Sequence, residues 1–230
     1  MHKPPPTLPE HLPVDPMPLA DTWLLQAWDE QVQPNPNAMT LATAAADGRP
    51  SARVVLCKEI VPEPGYVVFY TNYESRKGQE LATQSWAAVV FHWDVLGRQL
   101  RIEGPVVRSP ASESDDYFAS RPWQSRVGAW ASHQSEPLGS RQALIDQLRA
   151  VAARFGTPDP LAPPDGDEHP ELHIPRPPGW GGFRLWAASV EMWVADPFRL
   201  HDRARWTREL VPAGAAHFQC RPWHHQRLQP

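Results

Sequence analysis

The sequence predicts a mostly β chain, an antiparallel barrel or sheet with helices at its periphery. Three observations carry that expectation. From Ala38 onward, apolar runs of strand length recur between turn residues. An Asp47-Gly48 pair stands between two of these runs, and that dipeptide is a hairpin signal because the tight turn needs positive φ. The helical stretches are fewer than the strands and fall between them, as in antiparallel folds that carry inserted helices.

Taken in order, the first 36 residues are proline-rich and read as an arm. "AMTLATAAADGRPSARVVLCKEI" supplies two strands around the turn, and "GYVVFYTN" (65–72), "WAAVVFHW" (86–93) and "RQLRIEGPVV" (98–107) continue the series. "ESRKGQELATQ" is a short helix started by Ser75. Two more helices follow, around "SESDDYFASR" and in "GSRQALIDQLRAVAARF", where Leu144, Leu148, Val151 and Phe155 recur at helical spacing. Pro122 breaks the first of these at Arg121. The stretch 157–179 holds so many prolines that it is a loop or tether, expected to lie across a surface or a partner subunit. "GGFRLWAASVEMWVA" and "FRLHDRARWTREL" read as strands again. There is no internal repeat.

Composition removes several function classes. A chain of 230 residues fits one domain with extensions and can bury a core without disulfide staples. Its net charge of -4 offers no overall electrostatic footprint for nucleic acid or an anionic membrane, so any anion must be met by a local cluster. Two cysteines without a CxxC, no long apolar span and no signal-peptide core make a cytoplasmic protein with reduced thiols the expectation. The chain lacks GxGxxG after a strand, GxxxxGK[ST], GxSxG and HExxH. His169 and His173 are four apart but flank Pro170, so a helical metal pair is not expected, and no metal site is assigned.

Three polar clusters remain. Arg76 and Lys77 occupy the first turn of the helix at Ser75, where cations oppose the helix dipole at roughly 0.3 to 1 kcal/mol each and a bound anion would reverse the sign. Their plain reading is two solvated side chains. Arg53 and Lys58 share one strand five positions apart, so they point to opposite faces unless the strand bulges; the one facing the core needs a paired anion. "YFASRPWQSRVGAWASHQS" supplies Tyr117, Arg121, Ser125, Gln134 and Ser135 beside Trp130, although most of the tryptophans read as core packing. Three basic and hydroxyl clusters in a net-acidic chain point to a small phosphorylated ligand, or two.

In order and content, "MTLATA", "RVVLCK", "FYTNYESRKGQEL", "RQLRIEG", "YFASRP", "GAWASHQS", "WGGFRL", "EMW", "RLHDR" and the closing "RLQP" resemble the pyridoxamine 5'-phosphate oxidase family. The resemblance covers most of the chain outside the arm and the tether. It implies an FMN-binding split β-barrel that forms a homodimer, with FMN in the cleft between subunits. The chain then divides into an arm (1–36), an FMN-binding barrel core with helices (37–156), a tether (157–179) and C-terminal strands that complete the barrel and dimer interface (180–230).

Matching motif to motif, the resemblance implies that FMN is held by Arg53, Val54, Val55, Leu56, Cys57, Lys58, Tyr70, Thr71, Arg76, Lys77, Gln99, Gln134, Ser135, Trp193 and Arg203. Lys58, Tyr117, Arg121 and Ser125 would grip the substrate phosphate, and Arg199, Leu200 and His201 would close over the substrate ring, Arg199 and His201 as the catalytic pair. Alternation along a strand would put 199, 201 and 203 on one face. The implied reaction oxidises pyridoxamine or pyridoxine 5'-phosphate to pyridoxal 5'-phosphate, with O2 as acceptor and H2O2 as product. Trp123 stands where the family commonly has a basic residue, and Met192 and Val194 where an aromatic and a polar residue are usual. The alternatives are a related flavin oxidase of the phenazine-pathway type, or a non-catalytic split-barrel protein that binds FMN or pyridoxal phosphate.

Overall fold

The structure, a computed structural model, describes residues 7–162 and 172–230. It divides into two compact units: one made of the chain up to Phe69, Glu80–Arg108 and Phe183–Pro230, the other of Tyr70–Gln79 and Ser109–Gly182.

The strands of the first unit are β1 (Ala38–Ala44), β2 (Pro50–Val61), β3 (Tyr66–Asn72), β4 (Trp86–Trp93), β5 (Arg98–Arg108), β6 (Trp180–Trp186), β7 (Ser189–Val194), β8 (Asp202–Thr207), β9 (Leu210–Pro212), β10 (Phe218–Cys220) and β11 (His224–Leu228); β3 runs on into the second unit, and β6 begins there. Nine of them form one sheet in the order β11-β8-β7-β5-β4-β1-β2-β3-β6. An additional antiparallel pairing of β5 with β6 closes β5, β4, β1, β2, β3 and β6 into a six-stranded barrel. The expected mostly β, antiparallel barrel with inserted helices is therefore present, and β9 pairs with β10 as a separate hairpin.

Period-two alternation explains which side chains fill the barrel. On β4, Ala87, Val89, Phe91 and Trp93 are buried; on β5, Leu100, Ile102 and Val106 face the same interior. The β1–β2 hairpin turns at Asp47-Gly48 as read, with Gly48 at φ 82. On β2, Arg53 takes the inner side with Val55 and Cys57, while Val54, Leu56 and Lys58 are outside. The strand pairs with β1 as far as Leu56 and with β3 from Cys57, and its register shifts between Cys57 and Glu59. That bulge leaves Lys58 and Glu59 both exposed before Ile60 returns to the core.

The helices are α1 (Met17–Asp29), α2 (Arg76–Thr83), α3 (Ala111–Ala119), α4 (Trp123–Ala131) and α5 (Arg141–Phe155). The last three belong to the second unit, whose core joins Phe118, Val127, Ala152, Ile174 and Trp180. α5 starts where the Ser140 hydroxyl accepts the Ala143 N–H at 3.0 Å and ends at Gly156 in the left-handed region. Leu148, Val151 and Phe155 pack on that core as their spacing predicts, and Leu144 lies further out, 37% exposed.

Three features differ from the sequence reading. The proline-rich start contains α1, which buries Met17, Ala20, Leu24 and Ala27 at helical spacing and carries proline only in its first turn, where a missing N–H is harmless. Pro122 ends α3 but also opens α4, for the same reason. Most of "FRLHDR" is not strand: residues 197–199 form a turn, Arg199 has φ 65, and β8 begins only at Asp202. Strand alternation therefore does not align 199, 201 and 203. Part of the tether, 163–171, lies outside the described residues; the remainder, from Leu172, packs on its own unit, with Ile174 in the core and Pro175 accepting the Trp130 indole N–H at 2.7 Å.

Candidate functional site

In the second unit, three aromatic rings build a platform. Tyr70, at the unit's entry from β3, stacks on Tyr117 of α3 with centroids 4.0 Å apart and planes 17° from parallel. Trp180 lies nearly parallel to both, at 5.6 and 6.2 Å. Two glycines follow Trp180 where no side chain fits: a Cβ on Gly181 would come within 2.1 Å of the Tyr73 hydroxyl, and one on Gly182 within 2.6 Å of the Ser109 hydroxyl.

Arg121, just past the end of α3, lays its guanidinium 4.8 Å from the Trp180 ring centroid. Its Nη1 is buried and meets no hydrogen-bond acceptor among the described residues. Burial lowers the Arg121 pKa, with nearby Tyr117 acting the other way. A half-buried cation with an unused donor is costly alone and suited to an anion. Ser125, four residues on, sits half-buried in the first turns of α4.

A second polar group lies at the start of α2. The Lys77 ammonium, buried, donates to the Ser75 hydroxyl at 3.0 Å and to the Gln134 side-chain oxygen at 2.6 Å. The Thr71 hydroxyl donates to the same oxygen at 3.2 Å. Arg76 and Gln134 are exposed, as is Ser135, which holds φ 77. The structure thus brings Thr71, Lys77 and Gln134 together, although more than fifty positions separate Lys77 from Gln134.

In the first unit, Arg53 reaches inward to Glu80, Nη2 to Oε2 at 3.2 Å, and donates to Thr43, Ser51 and the Leu41 carbonyl. Glu80 is the anion that an inward Arg53 requires. Val54 and Leu56 are exposed, whereas Cys57 is buried and its thiol is pushed up to about 12 by desolvation. Gln99 of β5, Trp193 of β7 and Arg203 of β8 are register partners, so three residues distant in sequence form one row across the sheet. Arg203 is fixed by buried Glu191, whose Oε1 accepts from Nη2 at 2.8 Å and whose Oε2 accepts from Arg101 at 2.9 Å.

The row ends at the loop between β7 and β8. His201 places its ring 4.6 Å from the Trp193 ring, and its Nδ1 accepts the Asp196 N–H at 3.1 Å. Arg199 and Leu200 are exposed, and the left-handed backbone of Arg199 costs roughly 1 to 2 kcal/mol for a non-glycine residue. Sequence reasoning missed Trp180, Asp196 and Glu191. A tryptophan before two glycines was the available signal for the first; the other two act through contacts that no motif announces.

Comparison with known proteins places these features in context. A family profile described as pyridoxamine 5'-phosphate oxidase matches residues 24–155, and one described as the pyridoxine 5'-phosphate oxidase C-terminal dimerisation region matches residues 180–230. A pyridoxine/pyridoxamine 5'-phosphate oxidase from Paraburkholderia phymatum is 53% identical over 196 residues, covering 84% of either chain. One from Burkholderia cenocepacia is 47% identical over 94% of this chain and 89% of its own. Among solved structures, PhzG from Burkholderia lata 383, in complex with tetrahydrophenazine-1-carboxylic acid, superposes with TM-score 0.78 at 33% identity, covering 95% of this chain and 94% of that one. An FMN-binding protein related to pyridoxamine 5'-phosphate oxidase from Nostoc punctiforme shares the fold, with TM-score 0.62 at 17% identity over 94% of this chain and 97% of its own.

Proposed function

Because the chain belongs to the pyridoxamine 5'-phosphate oxidase family, we propose that it oxidises pyridoxamine and pyridoxine 5'-phosphates to pyridoxal 5'-phosphate. FMN is its cofactor, O2 its electron acceptor and H2O2 its second product. The observation that carries this reading is Arg121, a half-buried cation held over the Trp180 ring with a buried donor that meets no acceptor among the described residues. A substrate phosphate supplies the missing acceptor, and Tyr117 and Ser125 of the same unit complete the grip.

The donor chemistry fits a phosphorylated flavin. In the second unit Thr71, Arg76, Lys77, Gln134 and Ser135, with Tyr70, offer the ammonium, guanidinium, hydroxyl and amide groups that a phosphate and a polyol chain require. In the first unit the segment Arg53–Lys58 and the row Gln99, Trp193 and Arg203 offer further donors and an aromatic ring. Bound FMN would supply the hydride acceptor and the route for electrons to O2. The protein's own part is placement: Arg121 and its neighbours anchor the phosphate end of the substrate, and Arg199 and His201 orient the ring whose 4' carbon is oxidised. Glu191 keeps Arg203 aimed. The match to the family's dimerisation region supports a homodimer, with FMN at the subunit interface.

A second reading, an oxidase acting on a tricyclic carboxylate, is favoured by the likeness to PhzG with its bound tetrahydrophenazine-1-carboxylic acid. The phosphate-type cluster around Arg121 weighs for the first. The test is an absorbance spectrum of the FMN-loaded protein, followed by anaerobic addition of pyridoxine 5'-phosphate. Bleaching that reverses in air is the expected result. A yellow protein that bleaches only with a non-phosphorylated substrate would overturn the assignment.

A further inference from the structure

We propose that Asp196 is a positioning residue that shapes the loop carrying Arg199 and His201, and that it selects the His201 tautomer. The inference rests on the substrate-side roles proposed above for those two residues. Four consecutive residues after Pro197 bond to Asp196. Its Oδ1 accepts the Phe198 N–H at 2.8 Å and the Leu200 N–H at 3.2 Å, and its carbonyl accepts the Arg199 N–H at 3.1 Å. Its own N–H donates to His201 Nδ1 at 3.1 Å.

Two consequences follow. The side-chain oxygen, bonded on both sides of Arg199, holds that residue in a left-handed conformation that arginine would otherwise avoid, while the flanking Phe198 and Leu200 side chains are 82% and 72% exposed and contribute little packing. Because a backbone N–H can only donate, His201 Nδ1 must carry its lone pair, and the neutral ring keeps its proton on Nε2. His201 therefore offers a donor at the ring edge away from Asp196, its ring tilted 41° from that of Trp193.

The experiment compares wild type, Asp196→Ala and Asp196→Asn as FMN-loaded proteins, measuring kcat and KM with pyridoxine 5'-phosphate and the fraction of FMN retained. The His201 tautomer is read in parallel by nitrogen-15 NMR of histidine-labelled protein, with the resonance assigned by its loss in His201→Gln. Asp196→Ala is expected to lower kcat/KM on the order of 100-fold with FMN retained, since small misplacements of orienting groups cost that much, and to abolish the single Nε2–H signature. Asp196→Asn keeps an acceptor oxygen and should stay within about threefold of wild type. If Asp196→Ala does not fold, Asp196→Ser, with a shorter acceptor, is expected to lose about tenfold. Wild-type kinetics and tautomer in the Ala or Ser variant, or equal losses in Ala and Asn, would overturn the proposal. If wild type does not oxidise pyridoxine 5'-phosphate, the functional reading fails, and the tautomer comparison alone decides the role of Asp196: persistence of the signature in Asp196→Ala overturns it.

Discussion

Arg121 shows what a single side chain contributes when its surroundings are fixed. Its guanidinium lies over an indole face and its buried Nη1 meets no acceptor among the described residues; a lysine ammonium has neither the plane nor the fork. Arg121→Lys is therefore expected to raise KM for pyridoxine 5'-phosphate by about 10- to 100-fold, the range for a lost charge-assisted hydrogen bond, with kcat changed less, as steady-state kinetics will show. The two cysteines make a second residue-scale prediction. Burial disfavours the Cys57 thiolate and pushes its pKa up from 9.0 to about 12, whereas Cys220 is partly exposed. Since the thiolate is the reactive form, a disulfide reagent at pH 8 should label one thiol in the native protein and two after denaturation. The sign for stability follows: a folded-state pKa raised above the unfolded value contributes stability below about pH 9, and that contribution fades as pH rises toward 12. The residue types around Arg121 were legible in "YFASRP", but the indole beneath it comes from Trp180, some sixty positions later, and no local pattern announces it.

Elements were legible where periodicity and turn chemistry agree. β4 occupies 86–93 as read, because an apolar run of strand length stands there between Ser85 and Asp94. α1 escaped notice because the prolines around it outweighed the spacing of Met17, Ala20, Leu24 and Ala27. "FRLHDR" misled because apolar and polar residues alternate there, yet hydrogen bonds to Asp196 win over alternation and set a turn. β6 carries a sharper test. Gly181 has no room for a side chain beside the Tyr73 hydroxyl, so Gly181→Ala is expected to destabilise by about 1 to 3 kcal/mol. Thermal unfolding would register this as a drop of roughly 2 to 4 °C per kcal/mol, and adding Tyr73→Phe should recover part of it.

At the scale of the molecule, the barrel closes through β5 and β6, which pair Val106 with Leu185 across a long insertion of helices and tether. The C-terminal strands carry the match to the family's dimerisation region. Light scattering is accordingly expected to give about twice the 25.9 kDa chain mass. Dilution below the dimer dissociation constant should release FMN, because a ligand bound only by the assembled form is lost with it; FMN retained by a monomer would argue against an interface site. None of the helices described is long and apolar enough to cross a membrane.

By itself the sequence determined the β-rich class, the hairpin at Asp47-Gly48, most strand positions and, through ordered motifs, the family. Those properties are local, set by alternation, turn residues and short motifs that need no partner to be recognised. Only the tertiary structure decided that Glu80 answers Arg53, that Gln99, Trp193 and Arg203 share a row, that Trp180 lies under Arg121 and that Asp196 bends the chain at Arg199. Most of these pairings join residues distant along the chain, and the one that does not depends on hydrogen bonds that override a strand-like pattern. Burial and register, which exist only once the barrel has closed, select them.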